Sequence, residues 1–187
     1  MEISFSYIAT FISLIYGLAL AHSLSCISEF IQHWKEIKHY WVWWFWAIFL
    51  LLLSVGFWVS IYAFYSTIEK WVISEFAFLT LQSCLFYLTF YIFFNHYNEL
   101  ENKDLELEYY KYKHIFFILL SLQFILMFFG HNILATDKSF TTILIQNSPI
   151  IIQTIFLIML AFINNKTLHG FCAVSFLLIF LSAIVFG

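Results

Sequence analysis

The sequence predicts an all-α protein: a polytopic integral membrane helix bundle of about six transmembrane helices, with both termini outside. Three observations lead there. Hydrophobic residues make up 63% of the 187 residues and charged residues only 10%. The apolar residues fall into six runs, and about 20 of them in a row cross a hydrocarbon core of roughly 30 Å. Each break between runs holds charged or turn-forming residues, and no run alternates polar and apolar side chains as a membrane barrel strand would.

The first helix is expected over residues 4–27. Ala19-Leu20-Ala21 resembles a signal-peptide cleavage site, but the stretch before the apolar run carries Glu2 and no Lys or Arg, so the segment is read as retained. Ala9, Ser13, Gly17, Ala21 and Ser25 recur every fourth residue. Four residues turn a helix by about 400°, so these positions form a slowly drifting stripe on which another backbone can approach closely. Two uses stand open: packing against a neighbouring helix of the same chain, or a homo-oligomer interface. His22 is the one titratable side chain well inside a predicted span, a packing residue or a pH sensor.

The second helix is expected over 41–64, opening with Trp41, Trp43, Trp44 and Trp46, an aromatic belt at the inner interface. Its Gly56 and Ser60 repeat the small-residue spacing once and are candidate mates for the first stripe. The remaining helices are expected over 76–94, 114–129, 148–163 and 168–186, with Pro149 suited to a first helical turn. Gln82, Gln123 and Gln153 lie near the middle of the third, fourth and fifth spans, and Ser54 lies at a similar depth. They form a polar layer that either joins helices by hydrogen bonds or lines a solute route.

Positive charge sets the orientation, because cytoplasmic loops retain lysine. Lys35, Lys38, Lys103, Lys111, Lys113 and Lys166 fall in the first, third and fifth breaks, against Lys70 and Lys138 in the second and fourth. The longest of the inner loops, 95–113, carries Glu99, Glu101, Asp104, Glu106 and Glu108, either a solvated rim or a docking site for a basic soluble partner. With a net charge of −3, direct nucleic-acid binding is not expected. The stretch 130–147 is expected to hold a short interfacial segment around Ile143-Leu144-Ile145, with a re-entrant loop as the alternative.

Catalytic chemistry is not expected. No span interior holds Asp, Glu, Lys or Arg, and no nucleophile elbow or intramembrane carboxylate pair is present. Cys26, Cys84 and Cys172 fall inside spans without paired spacing and are read as packed thiols. Six of the seven histidines lie toward the inner face, yet no two are four residues apart, so no metal site and no cofactor are assigned. A histidine-ligated haem or quinone-reactive anchor is kept as a distant alternative.

Tyr16-Gly17-Leu18-Ala19-Leu20, followed by Trp41-Val42-Trp43-Trp44, resembles a set of uncharacterised small bacterial multi-spanning membrane proteins over roughly the first third of the chain. Size, span number and Phe/Ile/Asn-rich composition are similar to the membrane accessory proteins of type VI-B CRISPR loci, which lie beside RNA-targeting effectors. That resemblance implies antiviral defence alongside an RNA-guided ribonuclease and transfers no functional residue. Residues 1–187 are thus expected to form a single multi-pass domain of a bacterial inner membrane. The expected function is that of a non-enzymatic oligomeric effector or accessory that changes permeability or regulates a soluble cytoplasmic partner. The alternative is a small uncoupled channel or transporter for a neutral polar solute.

Overall fold

The structure is a computed structural model that describes residues 5–66, 71–133, 145 and 147–186. Six α-helices of 15 or more residues are found among the described residues: α1 Phe5–Gln32, α2 Trp41–Tyr65, α3 Ile73–Phe93, α4 Leu105–Ile133, α5 Ser148–Phe162 and α6 Lys166–Phe186. No strand occurs among the described residues. The first four helices are long and apolar enough to cross a membrane, whereas α5 and α6 offer shorter apolar stretches. At 15 residues α5 rises about 22 Å, less than a full hydrocarbon core of roughly 30 Å.

Contacts fix the directions. Phe11 meets Phe76 and His22 meets Tyr91, so α1 and α3 run the same way. Phe5 meets Tyr62 whereas Ser13 meets Trp58, so α2 runs against α1. Tyr40 meets Tyr109 and Trp46 meets Phe116, Trp41 lies beside Gly170 and Phe49 meets Phe180, so α4 and α6 run with α2. Lys113 reaches Ala161 at one end of α4 and Ile125 lies with Ile150 and Ile151 further along it, so α5 runs against α4. The breaks after α1, α3 and α5 therefore meet at one end of the bundle, the lysine-rich end.

Two helices outgrow their expected limits for the same reason. In α1 the buried positions Ile8, Ile12, Tyr16, Ala19, Ser23, Cys26 and Phe30 keep a helical period beyond residue 27. In α4 helix begins at Leu105, because Asp104 caps it by accepting the backbone N–H of Glu106 at 2.9 Å and of Leu107 at 3.2 Å. Half of the expected acidic loop is thus helix, and its inner face buries Leu105, Glu108, Tyr109 and Lys113. Pro149 sits in the first turn of α5, as its missing donor favours. The expected interfacial or re-entrant stretch 130–147 lies mostly outside the described residues; its first four residues continue α4, and Ile145 is exposed.

The interior is aromatic. Trp46 is fully buried and packs edge-on against Phe49, Phe116 and Phe117, with Phe176 tilted beside it, locking α2 to α4 and α6. Trp43 stacks on Phe93 at 5.2 Å. This corrects the expected tryptophan belt: Trp43 and Trp46 are core residues, and of the four only Trp41 is exposed. Lipid gives no hydrophobic drive between helices, so close ring packing, worth about 0.5–1.5 kcal/mol per aromatic pair, carries much of the cohesion. Gly56 also departs from expectation. A Cβ there would lie 2.7 Å from Phe180 Cζ, so Gly56 makes room for α6 and is not the mate of the α1 stripe.

Replacing Trp46 with Ala empties the contact point of three helices. It is expected to cost about 3–5 kcal/mol, read as a lowered unfolding midpoint in detergent. An unchanged midpoint would contradict this account of the core.

Candidate functional site

Four sets of residues carry chemistry: the lysine-rich end, a polar junction between α1 and the end of α3, the open face of α1, and the mid-depth glutamines.

At the lysine-rich end Lys38 Nζ pairs with Asp104 Oδ2 at 2.6 Å, while the Lys38 backbone N–H donates to Lys103 O and the Leu105 N–H donates to Lys38 O. The first and third connections are thereby tied together. Partial burial works to raise the Asp104 carboxyl, but the Lys38 ammonium and the N–H groups of Leu107 and Glu106 outweigh it and hold it below its ordinary range. The hydrogen bond to Asp104 raises Lys38 in turn. Of the other acids, Glu106 pairs with Lys166, and Glu108 is buried, accepting from Asn95 Nδ2 at 2.8 Å. Only Glu99 and Glu101 remain exposed, Glu101 facing Lys111 at 3.7 Å. The expected docking loop is thus mostly committed to internal contacts.

Three basic side chains close the end of α5. Lys113 Nζ donates to Ala161 O at 2.8 Å and Ile163 O at 3.1 Å, and His114 Nδ1 donates to Ala161 O at 2.9 Å. Fully buried His169 places Nε2 2.8 Å from Ile163 O, and because that carbonyl can only accept, Nε2 carries the proton. Its Nδ1 therefore accepts from Tyr109 Oη at 2.7 Å. These groups satisfy carbonyls left without partners at a helix C-terminus. Lys113 is a buried cap rather than the loop charge that the sequence suggests.

The polar junction starts from spacing. His22 and Cys26 stand four residues apart, on one face of α1, and face the Phe94 carbonyl just past the end of α3. His22 Nε2 donates to that carbonyl at 2.7 Å, with Cys26 Sγ 3.9 Å from the same nitrogen and 3.7 Å from the carbonyl. His96 lies across the gap, its ring 5.3 Å from that of His22. Glu29 accepts from His96 Nδ1 at 2.8 Å and from the Tyr97 backbone N–H at 3.0 Å. Donor atoms of His22, Cys26 and His96 all lie within 4.8 Å of one another. Spacing between histidines alone does not reveal this cluster; the i, i+4 spacing of His22 and Cys26 is the signal the sequence carries for it.

The later part of the small-residue stripe of α1 is turned away from the other described residues. Each step of four residues drifts by about 40°, so Ala9 and Ser13 are half-covered whereas Gly17, Ala21 and Ser25 are exposed. A Cβ built at Gly17 would meet nothing within 4 Å. Beside it, Ser13, Tyr16, Gly17, Leu20, Ser54, Val55 and Trp58 line an open groove of about 310 Å³ between α1 and α2. Trp58 Nε1 donates to Ser13 Oγ at 3.0 Å along its rim. Among the described residues, no neighbouring helix covers the outer three positions.

The glutamines do not form a continuous layer. Gln82 lines a cavity of only about 20 Å³ with Tyr65 and Met127, and Gln153 is partly exposed. Gln123 is buried, and neither of its amide atoms meets a hydrogen-bond partner among the described residues. Ser54 is buried and donates to Leu51 O of its own helix at 2.6 Å. Cys26 and Cys172 are buried as expected, but Cys84 is exposed. Comparison with known proteins found no matching family model, no matching curated protein and no matching solved structure.

The Lys38 and Asp104 pair gives a pH prediction. A lowered carboxyl stabilises above the ordinary Asp range and loses that contribution as pH falls through its lowered pKa; a raised lysine loses its contribution only as pH rises through its raised pKa. The protection of amides around residues 100–105, taken relative to their intrinsic exchange rate at each pH, should stay flat between about pH 5 and 9 and fall in acid below about pH 4. Asp104→Asn should keep much of the cap and remove this acid dependence, while Asp104→Ala should also lose about 1 kcal/mol of capping.

Proposed function

We propose that the chain is a non-enzymatic, multi-pass accessory protein of a bacterial inner membrane that works as a homo-oligomer, assembled through the open face of α1. The observation that carries this reading is the exposure of Gly17, Ala21 and Ser25 beside a groove in the same chain. Small side chains offer lipid little contact, but they let a second backbone approach closely enough for dispersion and weak hydrogen bonds to act. Burial points the same way: 28% of the apolar window of α1 is buried, against 44% in α2, α3 and α4. The occupant is a second copy of the chain, α1 against α1.

Such an assembly would set several lysine-rich ends side by side, with Glu99 and Glu101 left to meet a soluble partner. The resemblance to the membrane accessories of type VI-B CRISPR loci makes an RNA-guided ribonuclease the partner of choice, and antiviral defence the setting.

Gly17→Leu tests the assembly, because the monomer has open space where the new side chain would go. In nanodiscs the unaltered chain should give a discrete oligomer by native mass measurement. The variant should stay folded while its association weakens by about tenfold or more, roughly 1.4 kcal/mol. A monomer in both, with lipid alone in the groove, would overturn the proposal.

A further inference from the structure

We propose that His22, Cys26 and His96 form a zinc-binding site, with Glu29 fixing the His96 ring. The site is independent of the α1 assembly, lying on the face of α1 that packs toward α3.

Its donors are two imidazoles and a thiol. This set suits zinc and excludes magnesium and calcium, which select oxygen. Zinc bonds of about 2.3 Å to sulfur and 2.0–2.1 Å to nitrogen, in tetrahedral geometry, set neighbouring donors roughly 3.5 Å apart. Cys26 Sγ and His22 Nε2 already stand at 3.9 Å. All three donor atoms fall within 4.8 Å of one another, so the site closes with a movement of roughly 1 Å. His96 can supply it, since its side chain is 39% exposed and lies in the connection after α3 rather than within a helix.

Glu29 adds the feature that separates a metal site from a chance meeting of side chains. Metal-bound histidines almost always donate their second nitrogen to a carboxylate, a backbone carbonyl or a water, which fixes the tautomer and the ring orientation. His96 has such a partner in place: Nδ1–H donates to Glu29 Oε1 at 2.8 Å, and in the proposed site Nε2 would then be the ligand. The backbone N–H of Tyr97 holds the other carboxylate oxygen at 3.0 Å. Coordination through His22 exchanges its hydrogen bond to Phe94 O for the metal and moves the ring proton to Nδ1. Cys26 binds as thiolate, so one proton leaves the thiol for each ion bound. The Phe94 carbonyl or a water takes the fourth position. The bound ion would staple α1 to the connection between α3 and α4, cross-linking residues 22 and 96.

Cobalt(II) is the probe, added to the purified full-length protein in detergent. The expected result is one ion per chain, with tetrahedral d–d bands and a thiolate-to-cobalt charge-transfer band that zinc(II) bleaches. Cys26→Ser should abolish the charge-transfer band, while Cys84→Ser and Cys172→Ser should leave it intact. His96→Gln, at the rim of the site, and Glu29→Gln should each weaken binding by about 10–100-fold without unfolding the chain. No charge-transfer band in the unaltered protein, or a band that survives Cys26→Ser, would overturn the proposal, and so would unchanged affinity in both rim variants.

Discussion

The rotational setting of α1 decides what this molecule presents to its surroundings. Tyr16 stacks on Phe86 with ring centroids 4.4 Å apart, and Ile8, Ile12 and Ala19 seat the same face on the bundle. A helix turns about 100° per residue, so positions 9, 13 and 17, each one step past a buried neighbour, are rotated out of that interface. Had the small residues been the ones facing α3, α1 would have packed closely within the chain and offered nothing. Ile8, Ile12, Tyr16 and Phe30 take the internal contact together with Ala19 and Ser23, while Gly17, Ala21 and Ser25 are left exposed.

The lysine-rich end does the opposite work, gathering polar groups from distant parts of the chain. Lys38 meets Asp104, Glu29 meets His96 and Tyr97, Lys166 meets Glu106, and Lys113 with His169 closes the end of α5. These contacts join all three connections at this end. A bundle whose helices gain little from the hydrophobic effect among themselves needs such directional ties to fix its register. The aromatic seam at Trp46 supplies close packing deeper in the bundle, and the ties set how the helices are phased around it.

Much of the fold was legible because membrane thickness acts directly on sequence: the six apolar runs correspond to six helices among the described residues, whose alternating directions bring the three lysine-bearing breaks to one end. What could not be read was which way each helix faces. Composition places the tryptophans at an interface, yet Trp43 and Trp46 are buried, because a ring at the start of α2 can point inward as well as along the membrane surface. Gly56 carried the same spacing signal as the α1 stripe and serves Phe180 instead. The start of α4 was visible in Asp104 followed by apolar residues at positions 105 and 109, but the density of acids hid it. The His22, Cys26 and His96 cluster was half legible, through spacing on α1; its third member is 70 residues away and arrives only through tertiary structure.

Together these features describe a bundle with one closed end, one aromatic core and one open helix face. The central claim is that the open face of α1 meets its counterpart in a second copy, and intermolecular cross-linking at Gly17→Cys, in a Cys84→Ser background in nanodiscs, tests it most directly. The account predicts efficient disulfide dimers at this position and none at Ile158→Cys, which is also exposed but lies on α5. Absence of the Gly17 cross-link, or equal cross-linking at both positions, would contradict it.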